Sequence, residues 1–227
     1  MFNKLAKTNC RPQQLKSTQF KQANIIFFGI YLLAFFMLLA AWLQSEVQFS
    51  VLFRDVFVAA SVEPYYGLFS NIGIFLWSAT AAILLFSGTV LFSVKQSHKY
   101  SKFLLSFGSF TLLLVIDDFF MLHEKIFPYY LKISEKMTFL AYGIIFIYLV
   151  LKFRDTILDN HFTIFAIAIS FLFLSITVDQ ILPTDSFIFQ KDDTYFFEDS
   201  LKLIGIISWC FYFIKISGEQ VISLLKR

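Results

Sequence analysis

The sequence predicts an all-α polytopic integral membrane protein with six transmembrane helices, on three observations. First, 58% of the 227 residues are hydrophobic and the mean hydropathy is +0.70, which is typical of helical membrane proteins. Second, only 15% of the residues are charged, and they concentrate between long apolar runs. Third, Lys and Arg are distributed unequally between alternate connecting segments. Because an open strand would leave backbone groups unpaired in lipid, we expect every span to be a helix.

Six apolar runs are candidates to cross a hydrocarbon layer, which takes about 20 residues. They lie at residues 24–44, 69–94, 103–122, 137–152, 162–182 and 199–217. The fourth run is the shortest, and the second is long enough to tilt. All four prolines lie outside these runs, where prolines are expected to separate helices.

The segments that flank the runs are polar or interfacial. Residues 1–23 are basic, and a basic segment before a run of this length predicts a start-transfer anchor rather than a cleaved signal. Residues 24–217 then form the six-helix membrane bundle, and residues 218–227 form a second cytoplasmic tail. Between the first two runs, the apolar stretch Val47–Ala60 predicts a short helix lying at the membrane interface.

The charge distribution predicts an orientation with both termini in the cytoplasm. In that orientation, 13 of the 19 basic residues fall on inner segments and the adjoining ends of spans, as the positive-inside rule requires. We therefore expect a protein of a bacterial inner (plasma) membrane. The acidic residues show the reverse distribution, with 13 of 16 on the outer half. This excess gives the outer side a negative potential that would concentrate cations.

The end of the third run holds the most informative side chains. Asp117 and Asp118 lie inside the run, and His123 and Glu124 follow at its mouth. Ionisable groups at this depth are costly, and they mark either a functional site or a structural pair. These four residues are our catalytic candidates. On a continuous helix, Asp117 and Glu124 would share a face while Asp118 and His123 point elsewhere, so this helix alone could not surround one centre.

Other runs are predicted to bring polar side chains to the same outer level, which predicts an acidic pocket in the outer leaflet. These side chains are Asn71, Ser175, Asp179, Glu198, Asp199 and Lys202. Lys202 lies at nearly the depth of the paired aspartates. An Asp–Lys ion pair that ties two helices together is therefore one expectation.

Three functional interpretations follow from this pocket. The acidic cluster could be purely structural, either within a membrane subunit or in binding a partner. It could instead hold a divalent metal ion that activates water against a lipid-like substrate. The candidate ligands are then Asp118, His123, Glu124, Asp179 and Glu198, with Asn71, Ser175, Asp199 and Lys202 around them. The third interpretation is a cation or proton transporter. The metal-dependent membrane hydrolase is the most specific of the three.

Several classes of site are excluded by the sequence. There are only three histidines, two of them on the predicted cytoplasmic side, so a zinc site of three histidines is excluded. Phosphate-binding loops and nucleophile-elbow motifs are absent from the sequence. Cys10 and Cys210 lie too far apart in the predicted topology to form a disulfide. Nucleic-acid binding has no support beyond a basic tail that topology already explains. The expected partners are therefore membrane lipids together with a lipid-like substrate or a cation.

Overall fold

The computed structural model describes residues 28–29, 31–94, 98–181 and 191–225. Every regular element among them is helical, which confirms the predicted all-α class. The chain divides into two compact units, Met1–Tyr66 and Gly67–Arg227. The predicted basic tail, residues 1–23, lies outside the described residues.

The first unit contains three helices in its described part. They are α1 (Tyr31–Leu43), α2 (Phe49–Phe53) and α3 (Val56–Ala60). Where one interfacial helix was predicted, there are two short ones, because the Asp55 side chain accepts a hydrogen bond from the Phe57 amide and so starts a new helix. Within the predicted run 24–44, α1 and residues 28–29 are helical, and the helix ends one residue before the predicted end of the run.

The described residues of the second unit form five long helices, one π-helix and one short helix. In chain order they are α4 (Leu68–Ser93), α5 (His98–Phe120), the π-helix (Leu122–Leu131), α6 (Glu135–Lys152), α7 (Arg154–Leu158), α8 (Phe162–Ile181) and α9 (Lys191–Leu225). Among the described residues, four of these helices contain segments long and apolar enough to cross a membrane: α4, α5, α8 and α9. The π-helix and α6 form a bent pair at 117° that gives a fifth span if the pair is counted as one.

The helices differ from the predicted runs in three details. The third run is not one helix to residue 122, because α5 ends at Phe120 and Met121 adopts a left-handed backbone conformation with φ 50°. Pro128 does not separate two helices, since it lies inside the π-helix. The sixth helix is longer than the run 199–217, because charged residues extend α9 before the apolar stretch and polar residues extend it afterwards.

Helices α4 and α5 approach each other closely at two glycine residues. A Cβ atom on Gly88 of α4 would lie 2.8 Å from Leu105, and one on Gly108 of α5 would lie 2.9 Å from Leu84. The two helices can therefore approach this closely only because both positions lack a side chain, as in many membrane helix pairs. The Ser101 hydroxyl also donates a buried hydrogen bond to the Gly88 carbonyl at 2.8 Å.

An aromatic layer fills the middle of the second unit. Phe107, Phe165 and Phe213 are at most 4% exposed, and all three rings pack against Trp209. Cys210 of α9 is buried beside this layer with a free thiol, and Cys10 lies outside the described residues. Helix α6 contacts the layer through Phe146, whose ring stacks on Phe165 with centroids 6.3 Å apart. Between Phe146 and the start of α6, a space separates α6 from the other long helices.

Candidate functional site

A cavity of about 710 Å³ occupies the space between α6 and the rest of the second unit. Side chains of all five long helices and of the π-helix line it. We call one end of it the polar end, lined by Asp117, Asp118, His123, Glu124, Lys125, Glu135, Tyr142, Ser175, Asp179, Glu198, Asp199 and Lys202. The other end is the apolar arm, lined by Trp77, Phe110, Leu114, Phe146, Ile169, Leu172 and Trp209.

Helix geometry gives the length of the cavity. Phe110 precedes Asp117 by seven residues on α5, and Trp209 follows Lys202 by seven residues on α9. At roughly 1.5 Å per residue, each interval spans about 10 Å along its helix. The cavity thus combines a charged end with an end lined by hydrophobic side chains.

A buried Asp–His pair lies at the polar end. His123 Nδ1 and Asp117 Oδ2 are 2.5 Å apart, and the His123 amide donates to Asp117 Oδ1 at 3.1 Å. The Tyr142 hydroxyl donates to the same Oδ1 at 2.9 Å. Asp117 and His123 are only 3% and 6% exposed. Both oxygens of Asp117 are therefore engaged, and the carboxylate fixes the orientation of the imidazole.

The end of α5 explains how His123 reaches Asp117. A continuous helix would turn the two side chains apart, which was our prediction from the sequence. Instead the left-handed Met121 stops α5, and the π-helix that follows starts in a new direction. π-helical segments are rare, and they occur frequently at functional sites. The correction is that one chain segment, rather than several neighbouring helices, assembles Asp117 with His123.

The second nitrogen of His123 remains available for chemistry. Nε2 lies 3.7 Å from Glu124 Oε1, and the Glu124 side chain is about half exposed (51%). The Phe139 ring packs against the imidazole with centroids 4.9 Å apart. An imidazole held on one nitrogen by a carboxylate presents the other nitrogen as a metal ligand or a base.

Asp118 has a different partner. Lys202 Nζ donates to Asp118 Oδ1 at 2.8 Å, which joins α9 to α5. This contact confirms the expected Asp–Lys pair and identifies Asp118, not Asp117, as its acidic member. The side chains are 14% and 31% exposed for Asp118 and Lys202, so the pair lies at the edge of the interior.

Asp117, Asp118 and His123 form the one group of potential metal ligands found among the described residues. One ligand atom from each lies within 4.8 Å of the others. Of the predicted ligands, Glu124, Asp179 and Glu198 line the cavity but fall outside this group. Ser175, Asp199 and Lys202 also line the cavity, whereas Asn71 does not, and its neighbour Ser70 does.

Sequence analysis missed Tyr142. It lies in α6, which corresponds to the shortest of the predicted runs. Its hydroxyl donates a hydrogen bond to Asp117. Its position could have indicated a role, because Tyr142 lies near the start of that run. It follows Glu135, the first residue of α6, by seven residues. The start itself is fixed by Ser134, whose hydroxyl accepts from the Met137 amide.

Comparison with known protein families identifies the family of this chain. Residues 25–216 match the model of a family described as "Domain of unknown function (DUF8692)". The chain belongs to this family. No curated protein and no solved structure matches it. The DUF8692 match includes every residue that lines the cavity, from Ser70 to Trp209.

Proposed function

We propose that the chain is a metal-dependent hydrolase of the membrane that acts on a lipid-like substrate. The observation that carries this proposal is the buried Asp117–His123 pair at the charged end of a cavity whose other end is apolar. A cavity of about 710 Å³ lies within the range of small-molecule sites, roughly 300–1,000 Å³. Its two ends suit a molecule with a polar group and a hydrocarbon chain.

The proposed topology has six spans with both termini in the cytoplasm of a bacterial cell, in the inner membrane. Four helices, the bent pair and the first apolar run would supply the six crossings. The positive-inside distribution of Lys and Arg supports this orientation. The polar end then opens toward the outer leaflet, so a lipid could enter from the membrane.

Each residue of the polar end has a proposed role. His123 Nε2 and a carboxylate oxygen of Asp118 would bind the divalent ion, while Asp117 orients His123. Asp179 and Glu198 line the same cavity from α8 and α9 and would contribute negative charge around the ion. When bound, the ion would lower the pKa of a coordinated water and polarise the substrate carbonyl.

The hydrolytic step needs one proton carrier, and Glu124 lies close enough to His123 to act as one. Glu124 would accept a proton from the attacking water as the water oxygen bonds to the carbonyl carbon. The ester or amide bond then breaks, and Glu124 returns the proton to the leaving group. Water and substrate are consumed together, and no oxidant or reductant is required.

Two observations favour an enzyme over the alternative functions. A cation or proton transporter needs a polar path through the protein, but the aromatic layer of Phe107, Phe165 and Phe213 lies beneath the cavity. A purely structural cluster would be satisfied by the Asp118–Lys202 pair. A structural role of this kind does not account for the buried Asp117–His123 pair or for the cavity beside it.

Elemental analysis of the purified chain, together with turnover of a fluorogenic long-chain acyl ester, tests this function. We expect bound Zn²⁺, Mn²⁺ or Fe²⁺ and ester cleavage in the native protein, and loss of both in His123→Ala. The matched control is His98→Ala, since His98 begins α5 at the end opposite Asp117 and does not line the cavity. Metal without cleavage would contradict the hydrolase, and cleavage without metal would contradict the metal dependence.

A further inference from the structure

One face of α6 shapes the cavity. Phe139, Tyr142, Gly143 and Phe146 all line it, at the spacing of residues on one side of a helix. Three of these four side chains are aromatic. The exception, Gly143, lies between Tyr142, which reaches Asp117, and Phe146, which reaches the aromatic layer.

Gly143 leaves open space at the middle of the cavity. A Cβ atom built on it would meet no atom of the described residues within 4 Å, whereas Cβ atoms on Gly88, Gly108 and Gly205 would collide with leucines of neighbouring helices. Gly143 therefore does not serve close helix packing. A glycine inside a helix also lowers the stability of that helix. Its effect at this position is to widen the cavity between the polar end and the apolar arm.

The apolar arm contains a buried hydrogen-bond donor that has no partner in the part of the chain that the structure describes. Trp77 is 6% exposed, and its indole N–H finds no acceptor among the described residues. Trp209, which also lines the arm, differs because its N–H donates to the Thr111 hydroxyl at 3.2 Å. Buried donors normally have partners, so an occupant with an ester, amide or hydroxyl oxygen would complete the environment of Trp77.

The charge of the polar end limits the head group of that occupant. Seven carboxylate side chains line the cavity against two lysines, Lys125 and Lys202. Lys202 is already paired with Asp118. A lining with this excess of negative charge repels a phosphate or sulfate group and attracts an amine.

We propose that the cavity binds a single-chain amphiphile with a cationic, amine-bearing head, and that Gly143 determines which chain fits. The chain lies in the apolar arm beside Gly143, and the head lies among the carboxylates of the polar end. This inference rests on the proposed function in so far as the amphiphile is the substrate. Binding, however, is measurable without turnover.

The test measures quenching of tryptophan fluorescence by a brominated long-chain alkylamine in nanodiscs. Trp77 and Trp209 line the arm, and the third tryptophan, Trp42, lies in the first unit and is replaced by Phe to remove its signal. We expect saturable quenching in this background. Gly143→Leu should weaken binding by about tenfold or more, because its side chain would occupy the space of the hydrocarbon chain. Gly143→Ala should give an intermediate loss.

Gly218→Leu is the matched control. Gly218 is also a helical glycine at which an added Cβ atom would meet nothing within 4 Å, and it does not line the cavity. Its substitution should leave quenching unchanged. Equal quenching in Gly143→Leu and Gly218→Leu would overturn the role of Gly143. Equal quenching by a brominated alkyl phosphate and the alkylamine would overturn the cationic head group.

The outcomes separate this inference from the proposed function. Quenching that depends on Gly143, in a protein without metal or esterase activity, would support the amphiphile site and reject the hydrolase. If the protein has metal-dependent esterase activity and Gly143→Leu leaves the quenching unchanged, the inference is rejected and the hydrolase is supported.

Discussion

In the described part of the second unit, the pair His123–Asp117 and the pair His161–Glu219 differ in their surroundings. His123 and Asp117 are buried, share two hydrogen bonds and line the cavity. His161 and Glu219 are 2.9 Å apart, but their side chains are 30% and 45% exposed and they lie away from the cavity. The same two kinds of group thus form a constrained pair at one place and a solvated contact at another.

Burial and additional partners account for the difference. Asp117 accepts hydrogen bonds from Tyr142 and from the His123 backbone as well as pairing with the imidazole. Glu219 joins two chain segments through the His161 side chain. Exposed ion pairs contribute about 0–1 kcal/mol, whereas removing one member of a buried network strands the other polar groups. Four predictions test this contrast, and they run from the largest expected effect to the smallest.

Asp117→Ala should have the largest effect. It leaves the His123 ring, the His123 amide and the Tyr142 hydroxyl without their acceptor, and we expect a loss of about 3 kcal/mol in the free energy of unfolding. Metal affinity should fall by about 10–100-fold, as when an orienting carboxylate is removed. Denaturant unfolding in detergent and metal titration check the two effects. A stability equal to that of the native chain would show that the pair is not constrained.

Asp118→Asn should cost about 2 kcal/mol, because it leaves the Lys202 ammonium partly buried without its carboxylate. Lys202→Met in the same chain should restore most of that loss, since both charges are then removed. A double-mutant cycle by thermal unfolding measures the coupling. Strictly additive losses would mean that the two side chains do not stabilise each other.

Tyr142→Phe should cost about 1 kcal/mol, the usual contribution of one hydrogen bond. The Asp117–His123 pair remains, so metal should still bind while its affinity falls only a few-fold. Isothermal titration measures the affinity. Complete loss of metal would instead give Tyr142 a direct part in binding it.

Glu219→Gln should have the smallest effect, below about 0.5 kcal/mol, because the His161 contact is exposed. Thermal unfolding at low and high salt measures it, and no change in ester cleavage is expected. A loss comparable to that of Asp117→Ala would remove the contrast between the two pairs.

The sequence predicted much of the second unit, for reasons that depend on hydropathy. The runs 69–94 and 162–182 match α4 and the described part of α8 closely. A helix long enough to cross a membrane is visible in the sequence as a long run of apolar residues. Every predicted site residue except Asn71 lines the cavity, because costly polar groups at one depth tend to face a shared interior.

The break between α5 and the π-helix at Met121 could not be predicted in the same way. A left-handed conformation is normally marked by Gly or Asn, and nothing in the Met121 side chain signals it. Averaged hydropathy instead extends the helix to residue 122 and separates Asp117 from His123. The open space at Gly143 was equally hidden, because it depends on the distance between α6 and the other helices rather than on the glycine itself.

The aromatic layer meets the apolar arm at Trp209, which belongs to both. Phe107 and Phe213 are fully buried there, with ring centroids 5.3 Å apart. In the proposed hydrolase, these packed rings would bound the inner end of the arm, so they would set the longest hydrocarbon chain that the site accepts.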